Sequence, residues 1–153
     1  MGYRSLFGKK SVTPLFAFGH GLSYTTFRMQ NAQAQVKDGK VEVSVEVTNT
    51  GERDGKEVVE VYVHDVKCSV RRPERELKAF KKVNLKAGET KRVVLDLDST
   101  AFSFFSEKEH RFVLEPGRFD ILIGNSSERC YLRSEICLWS NNNKHYRKSH
   151  WLY

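Results

Sequence analysis

Three features of the sequence predict an all-β, antiparallel sandwich of about seven strands: period-two alternation of apolar residues, turn residues at near-regular intervals, and no stretch of helical periodicity. In chain order, residues 27–36 form a first, weaker strand, closed by Asp38-Gly39. Residues 40–49 carry the clearest pattern, Val41, Val43, Val45 and Val47 alternating with Glu42, Ser44, Glu46 and Thr48. Such a strand packs its β-branched set on a core and turns its polar set to water. Asn49-Thr50-Gly51 ends it with residues that tolerate tight-turn backbone. Gly51-Glu52-Arg53-Asp54-Gly55 is short enough to join neighbouring antiparallel strands. Residues 57–65 then place Val59, Val61 and Val63 on one face and Glu60, Tyr62 and His64 on the other.

After an Arg/Pro loop around Pro73, residues 77–85 read as extended and close on Lys86-Ala87-Gly88-Glu89. Residues 90–97 alternate Val93, Leu95 and Leu97 against Arg92, Val94 and Asp96. Glu115-Pro116-Gly117 is a turn signal, followed by Phe119, Ile121 and Ile123 in alternation, and residues 130–138 make a last strand. This array is of the fibronectin type III or immunoglobulin-like type, and no tandem repeat marks a propeller or solenoid. Residues 1–26, rich in Gly, Phe and Ser, read as a linker, and the basic, aromatic residues 139–153 as a disordered appendage to the sandwich at 27–138.

A chain of 153 residues, 39% hydrophobic and with 3 prolines, fits one folded domain. No apolar run reaches the roughly 18 residues of a membrane helix, the start lacks a signal peptide's apolar stretch, and Leu6 stands where a myristoylation signal needs Ser or Thr. No membrane partner is expected and no compartment is indicated. The net charge of +7 permits a nucleic-acid partner, but Arg71-Arg72, Lys81-Lys82 and Lys91-Arg92 are scattered doublets with acids nearby. That is a solvated surface rather than a phosphate-tracking stripe, so no nucleic acid is expected.

Candidate chemistry is sparse. His20, His64, His110, His145 and His150 lack ligand spacing, and Cys68, Cys130 and Cys137 do not cluster with them, so neither metal nor cofactor is expected. Cys130 and Cys137 sit an odd number of positions apart in one strand and should point to opposite faces. A Cys68 pairing with either stays open. Ser23, Ser126 and Ser127 have no nucleophile context and read as turn caps, while Asn125-Ser126-Ser127 fits a glycosylation pattern. Glu42, Glu46, Glu57 and Glu60 fall mostly on polar strand faces, where carboxylates are solvated. Phe102, Phe104, Phe105 and Phe112 suggest a sugar-stacking platform, with core packing or an interface the preferred reading.

One string is specific. Pro14-Leu15-Phe16-Ala17-Phe18-Gly19-His20-Gly21-Leu22-Ser23-Tyr24-Thr25-Thr26-Phe27 resembles the PLFPFGHGLSYTTF segment that enters the fibronectin type III-like C-terminal domain of family-3 glycoside hydrolases, the β-glucosidase and β-xylosidase group. The resemblance continues in family order through Val47-Thr48-Asn49-Thr50-Gly51, Gly55 to Val63, Arg72-Pro73-Glu74-Arg75-Glu76-Leu77, Glu115-Pro116-Gly117 and Ile123-Gly124-Asn125-Ser126-Ser127. Departures are Ala17 where Pro is usual, Glu60 where Gln is usual and Phe112 where Trp is frequent.

The resemblance implies a non-catalytic accessory domain. Family members cleave with a nucleophile on a barrel and an acid/base carboxylate on an α/β domain, both upstream of the matching segment, so no catalytic or substrate-binding residue carries over. Gly2-Tyr3-Arg4 resembles the end of that middle domain, and the chain is expected to begin where the catalytic machinery stops. The polar-face carboxylates agree, since retaining hydrolysis needs two carboxyls about 5 to 5.5 Å apart. The implied partners are the barrel and α/β domains, with polysaccharide as a further one. Phe16, Phe18, His20 and Tyr24 are the expected interdomain docking residues, and Leu15, Phe16 and Phe18 should form an exposed apolar patch that promotes self-association. A free-standing module binding polysaccharide or a protein is the alternative.

Overall fold

A computed structural model describes residues 14–138. The readings made for Leu6, Gly2-Tyr3-Arg4 and residues 139–153 lie outside the described residues. The described chain forms β1 (Phe27–Lys37), β2 (Lys40–Asn49), β3 (Gly55–Asp65), β4 (Glu76–Leu85), β5 (Thr90–Leu97), a 3-10 turn (Ser99–Phe102), β6 (Phe104–Ser106), β7 (Arg111–Val113), β8 (Gly117–Gly124) and β9 (Cys130–Leu138). A three-stranded sheet in the order β1-β2-β5 faces a four-stranded sheet in the order β4-β3-β8-β9, and all pairings are antiparallel.

The core lies between the sheets and follows the predicted alternation. Val41, Val43, Val45, Val47, Val93 and Leu97 come from one sheet, and Val59, Val61, Val63, Phe119, Ile121 and Ile123 from the other, all buried. The 3-10 turn, capped by the Asp98 carboxylate on Thr100 N, plugs one end of this core with Phe102. Its ring meets Phe119 edge-on at 5.2 Å. The β1–β2 turn places Asp38 and Gly39 at φ 50° and 77°, the mirror-image turn that suits a two-residue hairpin.

Three local expectations need correction. Residues 51–54 do not make a hairpin between neighbours, because β2 and β3 belong to different sheets and the loop arches across the end of the sandwich. Both strands offer a valine face to the same core, and that demand is met by facing sheets as well as by adjacent strands. Second, a register shift places Cys130 opposite Gly124 and Leu132 opposite Ile123. The extra residue restores the phase, so Cys130 and Cys137 lie on the same outer face, roughly 20 Å apart along the strand. All three cysteines are free thiols, which closes the Cys68 alternative. Third, the 3-10 turn and the β6–β7 hairpin were not expected, since each is too short to show a period.

The crossing loops are held by one buried amide. Asn49 is fully buried at the end of β2. Its Nδ2 donates to the carbonyls of Arg53 at 2.7 Å and Leu85 at 3.2 Å, and its Oδ1 accepts from Thr25 Oγ1 at 2.7 Å and Gly51 N at 3.1 Å. Asn49→Ala leaves two carbonyls, of which Leu85 O is bonded in a buried position, without their donor and should cost about 2–4 kcal/mol in urea unfolding. Thr48→Ala, which removes only an exposed 2.8 Å bond to Thr90, should cost less than about 1 kcal/mol. Equal costs would show that Asn49 holds nothing together.

Candidate docking site

Residues 14–26 run along the outer face of the four-stranded sheet before entering β1. Thr50 N donates to Thr26 O at 2.8 Å, and the two threonine hydroxyls bond at 2.9 Å. Thr25 lies so close that a Cβ on Gly55 would sit 2.5 Å from its Cγ2 and one on Gly51 2.2 Å from its Oγ1. Ser23 Oγ is 3.6 Å from the same position on Gly55 and accepts from Thr25 N, a turn cap as expected. Further back, Ser127 N donates to Phe18 O at 2.8 Å, while the Arg75 guanidinium donates to Ser127 O. Ser126 Oγ accepts from Arg129 N at 3.1 Å and caps that loop.

Between these anchors Gly19 crosses directly over β3. Its φ of 81° lies in the left-handed region, and a Cβ there would be 2.3 Å from Glu60 Oε2. Only glycine meets both conditions. The segment therefore roofs Glu60; alternation had assigned both Glu60 and its neighbour Tyr62 to the solvated face, and they are 6% and 1% exposed. Tyr62 Oη donates to Glu60 Oε2 at 2.5 Å. Burial raises the Glu60 pKa, the Tyr62 hydrogen bond pulls it back in part, and the Glu57 charge adds to the rise. Burial and the bond to Glu60 likewise raise the Tyr62 hydroxyl, fixing it as a donor. Cys130 is raised chiefly by burial, against an opposing pull from Arg75, and stays a thiol.

Of the residues singled out by sequence, the structure brings Phe16 and His20 together, with Phe18 between them in the chain. A turn with His20 N donating to Ala17 O stacks the Phe16 and His20 rings at 5.3 Å. Phe16 and Phe18 are 62% and 52% exposed, and Leu15, Leu22 and Tyr24 more so. Tyr24 stands apart from this group, next to the Thr25 anchor. The sequence reading placed Glu60 and Tyr62 on a solvated face and gave Arg75 no part; Gly19, a glycine between Phe18 and His20, was the one signal that Glu60 is covered.

The four phenylalanines divide. Phe102 is core, Phe104 lies under the Arg72 guanidinium at 5.9 Å, and Phe105 and Phe112 form an exposed edge-to-face pair at 5.6 Å. Glu57 is occupied structurally, with Oε1 accepting from Val58 N and Oε2 from Asn125 Nδ2. Glu60 lies beneath the linker backbone. Among the described residues no group of three or more His, Cys, Asp or Glu could hold a metal ion. The arrangement is suited to holding one protein segment against another, with aromatic rings left outward.

Residues 57–127 match the fibronectin type III-like domain family. The chain is similar to a thermostable β-glucosidase B of Acetivibrio thermocellus, 46% identical over 140 residues that cover 89% of this chain and 18% of that protein. It is also 44% identical over 130 residues to an exo-α-(1→6)-L-arabinopyranosidase of Bifidobacterium breve, covering 83% of this chain and 17% of that one. A crystal structure of a Bifidobacterium adolescentis GH3 β-glucosidase superposes with a TM-score of 0.83 at 37% identity, over 90% of this chain and 20% of that one. The chain thus spans about a fifth of the length of the proteins it matches.

The buried carboxyl makes the roof sensitive to pH. A raised folded-state pKa gives stability that is fully present below the ordinary glutamate value of 4.5 and lost as pH rises through the folded value. Glu60→Gln keeps the acceptor for Tyr62 and removes the charge. In thermal melts the variant should match the wild type near pH 4 and exceed it increasingly towards pH 8. A variant that is less stable at pH 8 would mean that the charged carboxylate is the form the roof prefers.

Proposed function

This chain belongs to the fibronectin type III-like domain of family-3 glycoside hydrolases, and from that premise we propose that it acts as a non-catalytic accessory domain, packing on the catalytic domains of a β-glucosidase-like enzyme and stabilising them. The observation that carries this reading is the linker. Leu15, Phe16, Phe18, Leu22 and Tyr24 are exposed on a segment that hydrogen bonds otherwise hold in place. Large apolar side chains presented together from a fixed backbone suit a covered interface rather than a wet surface.

In this reading residues 1–26 are the linker and the end of an α/β domain, 27–138 the sandwich and 139–153 a tail. Phe16, Phe18 and His20 form the docking cluster, with Tyr24 a separate outer contact. The catalytic barrel and the α/β domain are the partners. Relatives named for different sugars match the same segment with nearly equal identity, which supports a role apart from sugar choice. Engagement of polysaccharide is a second reading, favoured by the exposed Phe105–Phe112 pair on the far hairpin.

The test is to co-express the chain with the Acetivibrio relative's polypeptide lacking its matched 140 residues. The chain alone should release nothing from an aryl β-glucoside, and the two pieces should co-purify. Replacing both Phe16 and Phe18 by Ser should weaken the complex at least about tenfold, as for aromatic anchors at interfaces. Hydrolysis by the chain alone, or the absence of any complex, overturns the proposal.

A further inference from the structure

The two outer sheet faces differ. On the three-stranded sheet the polar residues satisfy one another across strands: Asn31 Nδ2 donates to Glu46 Oε2, Gln35 Nε2 to Glu42 Oε1, and Arg92 to Ser44 Oγ and Gln33 Oε1. Its exposed apolar residue is Val94, at 39%. That face is built for water. On the four-stranded sheet Phe80, in the middle of β4, is 68% exposed. It pairs across the ladder with Glu60, the residue that Gly19 covers, so it stands beside the linker on the same face.

The next rows of the ladder pair Val58 with Lys82 and Lys56 with Asn84. With Gly19 over Glu60 and Ser23 beside Gly55, the chain between them follows β3 along these rows. Leu22, 93% exposed, lies within that stretch. Phe80 thereby stands beside a segment whose Leu22 and Phe18 are exposed as well. Lys56 and Lys82 are exposed at its border, and neither forms an ion pair with a carboxylate of the described residues. Lys78, Lys91, Arg111, Arg118 and Arg133 pair with acids, while other exposed cations such as Lys37, Arg53 and Lys108 share the unpaired state among the described residues.

We infer that the docking face extends from the linker onto the outer face of β3 and β4, with Phe80 as a further anchor and Lys56 and Lys82 as its charged rim. The partner it fits is an apolar protein surface bordered by carboxylates, carried on the catalytic region of the glycosidase polypeptide. The inference rests on the accessory-domain reading above and adds to it both a place and a charge. Carboxylates opposite the two lysines would set the register of the contact, since charges at an interface rim contribute to orientation and association rate more than to raw affinity.

The test titrates the full chain into the Acetivibrio relative's polypeptide lacking its matched segment, followed by sedimentation velocity. The expected result is a one-to-one complex, weakened at least about tenfold by Phe80→Ser. Lys82→Glu should slow association, and raising salt from about 50 to about 500 mM should do the same for the wild type. Val94→Ser, on the other outer face, should leave binding unchanged. Binding lost with the Phe16 and Phe18 double substitution but unaffected by Phe80→Ser and Lys82→Glu overturns this inference and leaves the accessory reading standing. No complex with any variant overturns both. A dimer of the chain that Phe80→Ser disperses, with no complex formed, shows a second copy as occupant and overturns it too.

Discussion

Everything at the linker end of the sandwich depends on the amide of Asn49. Two sheets that touch only through side chains can slide or splay unless the loops crossing between them are fixed, and here two such loops meet at one residue. The amide holds the β2–β3 arch through Arg53 O and Gly51 N, the end of β4 through Leu85 O, and the linker through Thr25. Its backbone adds the β4–β5 turn, donating to Glu89 O and accepting from Gly88 N. A side chain with two donors and two acceptors in a fixed plane is needed, and asparagine supplies it without charge. Aspartate in its place would turn a carboxylate towards two carbonyl oxygens, with no donor for either.

The opposite end uses charge instead. Arg72 is buried between Asp65 at 3.3 Å and Glu76 at 2.9 Å and also donates to Phe102 O, tying the β3–β4 loop to the 3-10 turn. Burial works against the Glu76 carboxylate, and hydrogen bonds from Arg72 and Lys78 outweigh it, keeping its pKa below the ordinary glutamate value. Such a cluster need not add stability over an apolar core of the same shape, but removing one partner leaves a buried charge stranded. Its stiff, planar fork fixes a long loop that has few apolar residues of its own.

How much of this could be read from the sequence follows from where burial comes from. Val41 to Val47 and Phe119 to Ile123 were legible because one sheet face buries them, and alternation reports one face. Glu60 was not, since its cover is contributed by Gly19, some forty positions earlier, and a period within β3 carries no trace of it. The linker aromatics were singled out by the family resemblance, because a segment without alternation has no period from which to place its side chains. Phe80 was hidden by the opposite effect: in a lysine-rich strand it looks like one more alternating residue, and only the ladder shows that it stands next to Glu60. The β9 bulge was equally invisible, and one extra residue was enough to move Cys130 to the other face.

Glu60 also explains why a desolvated carboxyl need not mean catalysis. A general acid requires a carboxyl whose pKa burial has raised, and Glu60 meets that condition. It also requires an open approach and a second carboxyl at working distance, and here the approach is filled by the backbone at Gly19 while Glu57 is tied to Val58 and Asn125. The desolvation that would prime an acid in a cleft here comes from a segment lying over the carboxyl, which also accepts the Tyr62 hydroxyl. The Tyr62 hydroxyl satisfies one carboxyl oxygen, and the missing side chain of Gly19 allows the backbone its close approach. The backbone that carries Phe18 is therefore held by hydrogen bonds at Phe18 O and Thr25 and by the close fit of Gly19 over Glu60, with no chemistry asked of the carboxyl.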